Sequence, residues 1–293
     1  MFKGRFPGYV CAVVAAISYG LNPFFGLHLY ADGYRPFSVL FFRFLVAGVM
    51  LGLVMVLRRR NFAVQKKYIP FIVFEGIMLF LTCLFWFLSF EIMSSGIAAT
   101  LLYTYPAMIA VILALFFHEK ITLNVVAGIL LAFAGVACVC KGGRNVISIL
   151  GIVYVTLSAL TYSFYIIAVK KTNLREVPSE TLTFYAMVIA AALMFGILKC
   201  GKEVQWLNSW SAAGNILGLA FFTSLISFLL LAVAVKIIGE TKSAVIGALE
   251  PITAVVIGVF AFGEPMSWTI LTGICLVLAA VGCVVVKPRS TLR

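Results

Sequence analysis

Apolar residues run along the chain in ten long stretches separated by short polar breaks, at about 8–29, 37–57, 69–90, 96–117, 123–140, 147–169, 181–198, 214–235, 243–262 and 268–286. Each approaches the roughly 20 residues that a helix needs to cross a hydrocarbon core about 30 Å thick. The breaks carry helix-stopping residues: Asp32-Gly33-Tyr34-Arg35-Pro36, Arg58-Arg59-Arg60, Lys141-Gly142-Gly143-Arg144, Pro178, Gly239 and Gly263-Glu264-Pro265. Only Arg43, Glu75 and Glu250, of 32 Asp, Glu, Lys and Arg residues, fall inside the stretches. The pattern predicts an all-α integral membrane protein with ten transmembrane helices.

An even number of spans puts both termini on one side, and the basic residues choose which. Sixteen Lys and Arg residues fall on the terminal side and five on the other, over short loops. An excess of this size predicts cytoplasmic termini. Clusters such as Arg58-Arg59-Arg60 are then retention signals and headgroup contacts.

Composition agrees and narrows the classes. Of 293 residues 63% are hydrophobic and only 11% charged, which a water-facing surface cannot accommodate. No length is left for a soluble domain and no G-x-x-x-x-G-K-[ST] occurs, so a nucleotide-hydrolysing pump is disfavoured. The net charge of +12 sits at the ends of apolar stretches, which makes it topology information and not a nucleic-acid footprint. Lys3 and Arg5 precede a stretch of full spanning length, which is expected to remain as the first helix and not to be cleaved. Cys11, Cys83, Cys138, Cys140, Cys275 and Cys283 lie in apolar runs and Cys200 at a helix end. No C-x-x-C or His cluster accompanies them, so buried free thiols are expected, with no metal and no cofactor.

Comparing the chain with itself exposes a duplication. At a shift of 145, Pro106 falls on Pro251, Glu119 on Glu264, Gly128 on Gly273 and Cys138 on Cys283. At a shift of 143, Gly8 falls on Gly151, Ala16 on Ala159 and Tyr19 on Tyr162, and at 142, Pro36 falls on Pro178. The expected halves are residues 1–145 and 146–293. Five helices per half is odd, so the second copy enters the membrane from the opposite side. Inverted repeats of this kind build transporters that open to either face around a site near the midplane.

The chain resembles the drug/metabolite transporter superfamily, specifically its EamA-type ten-helix exporters. The first helix reads Ser18-Tyr19-Gly20-Leu21-Asn22-Pro23, like the family's aromatic-Gly-x-Asn pattern, and the second carries Phe42-Arg43-Phe44. The fourth runs from Pro106 to Phe117-His118-Glu119, and the ninth reads Leu249-Glu250-Pro251 and ends Gly263-Glu264-Pro265. Two departures stand out: Tyr105-Pro106 and His118-Glu119 in the first copy against Glu-Pro and Gly-Glu in the second, and Tyr185 where Arg43 would recur. The resemblance implies ATP-independent export of small metabolites, often amino acids, across the bacterial inner membrane. Drugs, sugars, nucleotide-type metabolites or a non-transport structural role are the alternatives, and proton coupling and oligomeric state stay open.

Candidate pathway residues follow from helical spacing. Ser18, Tyr19 and Asn22 share a face of the first helix; Ser158, Thr161, Tyr162 and Tyr165 share one of the sixth. Such faces avoid lipid and serve either helix packing or a wet cavity. Thr82, Trp86 and Ser89 mark the third helix, Thr223 and Ser227 the eighth, and Trp86 could equally be an interfacial anchor. Tyr103 and Tyr105 add aromatic faces with hydroxyls. Pro106 and Pro251 are expected to kink their helices and free the carbonyls of Leu102 and Gly247. Glu119 and Glu264 are expected to cap or gate at helix ends. Arg43 and Glu75 can each reach headgroups or pair inside. Glu250, beside a kink, is the candidate for a proton or a substrate amine.

Overall fold

The computed structural model describes residues 6–118, 123–142, 148–171, 173–238, 246–247, 249–264 and 266–285. Among them the chain is helical and without strands. The helices are α1 (Phe6–Gly20), α2 (Asn22–Ala31), α3 (Pro36–Leu57), α4 (Ile69–Ser89), α5 (Ser95–Leu102), α6 (Tyr105–Phe117), α7 (Leu123–Gly142), α8 (Ile149–Lys171), α9 (Ser179–Ile197), α10 (Trp210–Gly218), α11 (Ser227–Ile238), α12 (Leu249–Phe262) and α13 (Trp268–Val285). Seven segments are long and apolar enough to cross a membrane, and shorter apolar helices at 126–135, 249–262 and 268–280 occupy the remaining expected spans.

Local chemistry places the ends. Pro36 opens α3 and Pro70 opens α4, positions where the missing N–H costs nothing. The Ser209 hydroxyl accepts the Ala212 N–H at 3.0 Å and caps α10. Between α10 and α11, Leu219–Ile226 is wound as a π-helix. π-Turns inside helices mark functional positions more often than chance.

Two expected spans are broken, not merely bent. The first divides at Leu21 into α1 and α2, because Pro23 lacks an N–H and its ring displaces the Tyr19 carbonyl. The Asn22 side-chain amide donates to that carbonyl at 2.6 Å. The fourth divides at Tyr103–Thr104, where Pro106 becomes the second residue of a new helix. There the Thr104 hydroxyl donates to Leu101 O at 2.8 Å and closes the end of α5.

Packing runs mainly between the halves of the chain. α1 lies on α11 and α4 on α8; α3 packs on α9, α5 on α12 and α7 on α13. Exchanging each span with its counterpart five spans later turns this set of pairs into itself. That is the behaviour of two inverted five-helix repeats about a pseudo-two-fold axis in the membrane plane. α7 and α13 pack chiefly on each other, as two nearly aliphatic helices should. α13 also reaches inward, where Val277 is buried against Tyr103. The cysteines divide as well, Cys11 and Cys83 being buried while Cys200 and Cys275 are exposed.

Candidate functional site

A small cavity of about 20 Å³ lies where the two breaks and α12 meet. Tyr19 and Gly20 reach it from α1, Thr82 and Trp86 from α4, and Ala99 and Leu102 from α5. Tyr103, Tyr105, Tyr162, Glu250, Pro251 and Ala254 complete the wall. Both repeats therefore contribute, and the volume suits a water-sized occupant until the rings part. A larger space of about 560 Å³ between α3 and α9 is lined by side chains such as Phe41, Phe44, Val188 and Phe195. It offers almost nothing polar and is read as lipid-facing surface.

Aromatic contacts hold the small cavity shut. Tyr19 stacks on Trp86 with ring centroids 5.6 Å apart and planes 9° from parallel. Tyr105 meets Tyr162 edge-on at 4.7 Å, Tyr103 meets Tyr105 at 5.4 Å, and Tyr162 stacks on Tyr165 at 5.9 Å. Such pairs are each worth about 0.5–1.5 kcal/mol beyond burial. Close backbone approach brings the wall together. A Cβ at Gly20 would come 2.5 Å from the Thr253 side chain and 2.9 Å from Glu250 O, so only glycine lets α1 cross α12 there. Gly247 is similarly covered by the Tyr103 hydroxyl, with Glu250 Oε1 beside it.

Glu250 is half-buried and faces the cavity, with no ion pair or hydrogen bond to its carboxylate among the described residues. It is the one ionisable carboxyl in the wall.

The structure brings together eight of the residues expected to line a pathway: Tyr19, Thr82, Trp86, Tyr103, Tyr105, Tyr162, Glu250 and Pro251. Tyr165 stands one ring behind them. Asn22 and Ser227 lie outside the wall, both buried. Asn22 repairs the break made by Pro23, so its polarity answers a backbone need. Ser158 and Thr161 pack into α4, the Ser158 hydroxyl donating to Thr82 O at 2.7 Å and Thr161 Oγ1 lying 3.0 Å from Thr82 Oγ1. Trp86 is only 3% exposed, which removes the interfacial-anchor alternative.

The charged residues differ from expectation. Arg43 is 1% exposed and Glu75 0%, so neither reaches the headgroups, and they do not pair. Arg43 Nε donates to the Ser224 hydroxyl at 3.2 Å, and its guanidinium lies 5.3 Å from the Phe87 ring centroid. Both Glu75 oxygens lack a hydrogen-bond partner. Arg60, from the basic cluster, pairs with Glu180 at 3.0 Å. Glu264 does cap a helix, but one of the other repeat: its carboxylate accepts the Ser95 N–H and hydroxyl at 2.7 Å each, the Gly96 N–H at 3.2 Å, and the Ser94 hydroxyl. Glu119 lies outside the described residues, as does the side chain of Pro106. Signals for the missed lining residues were weak, since Gly20, Ala99, Leu102 and Ala254 are ordinary in membrane helices; Gly20 was marked only by its place after Tyr19 and Leu102 only by its carbonyl four residues before Pro106.

Comparison with known proteins agrees with this architecture. An uncharacterized transporter of Archaeoglobus fulgidus is 25% identical over 255 residues, covering 86% of this chain and 89% of its own. The uncharacterized transporter YyaM of Bacillus subtilis is 25% identical over 266 residues, covering 88% and 87%. A crystal structure 18% identical, covering 96% of both chains, superposes with a TM-score of 0.69 and shows the same fold. The model of the EamA-like transporter family matches twice, over residues 6–140 and 149–286. Those two matches span nearly the whole chain: this multi-pass membrane protein belongs to the EamA-like transporter family.

Proposed function

We propose that the protein is a secondary transporter that exports small organic metabolites across the bacterial inner membrane by alternating access. Amino acids with aromatic or otherwise apolar side chains suit the site best. The carrying observation is one unpaired carboxyl group, Glu250, in an aromatic cavity walled by both repeats and flanked by two broken helices. Discontinuous helices at a repeat interface are where transporters of inverted architecture hold their substrates. Flat rings and hydroxyls suit an organic solute, and the wall carries no cation for a phosphate. An ionised carboxylate at this depth costs several kcal/mol unless paired or hydrated. A solute ammonium or a proton relieves that cost, and its release restores it, which couples occupancy to conformation.

Counterflow of labelled L-phenylalanine in proteoliposomes, for the wild type and Glu250→Gln, tests the reading. Gln keeps shape and hydrogen bonding but removes ionisation. Loss of exchange by about tenfold or more in a variant that inserts normally is expected. Wild-type exchange with unchanged pH dependence in Glu250→Gln would remove the role assigned to this carboxyl.

A further inference from the structure

Arg43 is a full charge in the eighth position of a membrane helix, 1% exposed, and nothing in the proposed mechanism uses it. Its guanidinium carries five N–H donors and no acceptor. Nε is spent on the Ser224 hydroxyl at 3.2 Å, a neutral partner, and Nη1 has none. The rings of Phe87 and Phe44, 5.3 and 5.9 Å away, supply only their faces. Among the described residues no carboxylate pairs with it: the oxygens of Glu75 are unpartnered and those of Glu250 face the cavity, while the ion pairs lie at Arg60–Glu180, Lys67–Glu176 and Lys199–Glu203. A buried, uncompensated cation is among the costliest features a membrane protein can hold, and where one persists it marks a functional site.

A second orphan donor stands nearby. The Trp86 indole N–H is buried without an acceptor. One side of the Trp86 ring system forms the cavity wall against Tyr19, and its neighbour Phe87, 6.1 Å away, is the ring on which Arg43 rests. Phe87 thus touches both the guanidinium and the Trp86 ring that forms part of the cavity wall. The Ser224 that holds Arg43 lies in the π-helical segment Leu219–Ile226, a winding that recurs at functional sites. The unspent groups of Arg43 and Trp86 are donors, and Arg43 is not matched in the other repeat, where Tyr185 falls in its place and bonds Phe62 O at 2.9 Å.

We propose that Arg43, Ser224 and the Trp86 N–H form a subsite for the carboxylate of the transported solute. The inference rests on the transport reading above and adds to it the position that holds the solute's carboxylate, a single asymmetric one in each chain. Guanidinium meets carboxylate as a planar two-pronged donor, which a lysine cannot reproduce. The shared chemistry is a compact anion, and the source is either the solute or a resident inorganic ion.

Trp86 can report on its own subsite. Trp206, Trp210 and Trp268 are 68%, 94% and 84% exposed, so the full chain carrying W206F, W210F and W268F keeps one buried indole. Its fluorescence is titrated with 3-phenylpropionate, with phenethylamine, which has the ring but no carboxylate, and with chloride. Expected is a saturable response to 3-phenylpropionate that weakens about tenfold in Arg43→Gln and about threefold in Ser224→Ala, with phenethylamine affinity the same in all three. Arg43→Lys should recover only part of the loss. Where Arg43→Gln aggregates, Arg43→Lys and Ser224→Ala decide alone. Equal affinity for 3-phenylpropionate with and without Arg43, or no response of Trp86 to it at all, overturns the subsite. A chloride response as strong as that to 3-phenylpropionate assigns the position to a resident ion and likewise overturns it. Counterflow of the same compound separates the two readings. Binding through Arg43 without transport removes the transport reading and leaves the carboxylate subsite; equal transport with and without Arg43 does the reverse.

Discussion

Glu264 Oε1 accepts the backbone N–H of Ser95 at 2.7 Å, so the first turn of a helix in the first repeat is closed by a carboxylate from the second. The first N–H groups of any helix lack intrahelical partners and attract negative charge. Here that need becomes a latch between repeats, at the end of the bundle where α4 finishes and α5 begins. Glu264→Ala should lower stability by about 1–3 kcal/mol, as expected for a charge-assisted cap with several donors. Glu264→Gln should retain part of it, through one carbonyl oxygen. Thermal unfolding in detergent measures both. Equal melting of wild type and Glu264→Ala would show that the latch contributes nothing.

Asn22 makes a sharper test because its partner's need has a known origin. Pro23 frees the Tyr19 carbonyl and the Asn22 amide satisfies it at 2.6 Å. Asn22→Ala should cost about 1 kcal/mol. Adding Pro23→Ala restores an N–H that can bond Tyr19 O in a continuous helix. The double variant should therefore lose less than Asn22→Ala alone. A double variant less stable than either single change would refute this origin of the break.

These two residues show what a one-dimensional reading can and cannot supply. The apolar stretches and the two repeats were legible because the bilayer imposes one length on every crossing helix, and the expected inversion follows from an odd number of spans per repeat. Tyr19, Trp86, Tyr162 and Glu250 were legible because polar and aromatic groups stand out against aliphatic spans. Asn22 was misplaced because the same signal, polarity within an apolar helix, arises from a backbone repair as readily as from a cavity. For Arg43 the sequence could not choose between headgroups and an internal acid, since helix depth is visible in sequence but rotation toward α4 and the Ser224 of another repeat is not. Glu264 was expected at the end of its own helix; the helix whose first turn it caps lies about 170 residues away and leaves no local trace.

Orientation has a natural reporter in Cys200. It is exposed in the turn after α9, while Cys11 and Cys83 are buried within the bundle and the exposed Cys275 lies within the apolar helix α13, away from its ends. With the termini proposed to be cytoplasmic on the basic-residue asymmetry, that turn is expected on the opposite side of the membrane. A membrane-impermeant maleimide added to intact spheroplasts should label wild type and fail to label Cys200→Ser. Labelling of Cys200 only after the membrane is opened would reverse the proposed orientation.

Outside the spans, the Tyr68–Glu176 contact ties the start of α4 to the segment after α8, and it gives a pH dependence of definite sign. The Tyr68 hydroxyl donates to Glu176, and Lys67 lies 3.7 Å from the same oxygen. The hydroxyl first and the ammonium second hold the Glu176 carboxyl below its usual range. A carboxyl with a lowered folded-state pKa contributes stability above its unfolded value, about 4.3, and loses it as pH falls through the folded value. The contribution is therefore complete at neutral pH and disappears in acid. Tyr68→Phe removes the larger cause and leaves Lys67, so it should melt below wild type at pH 7, with the gap closing between about pH 5 and pH 3. Thermal unfolding of both proteins across that range measures the gap. A gap that widens on acidification would mean that the hydroxyl stabilises the protonated carboxyl, with a pH dependence of the opposite sign.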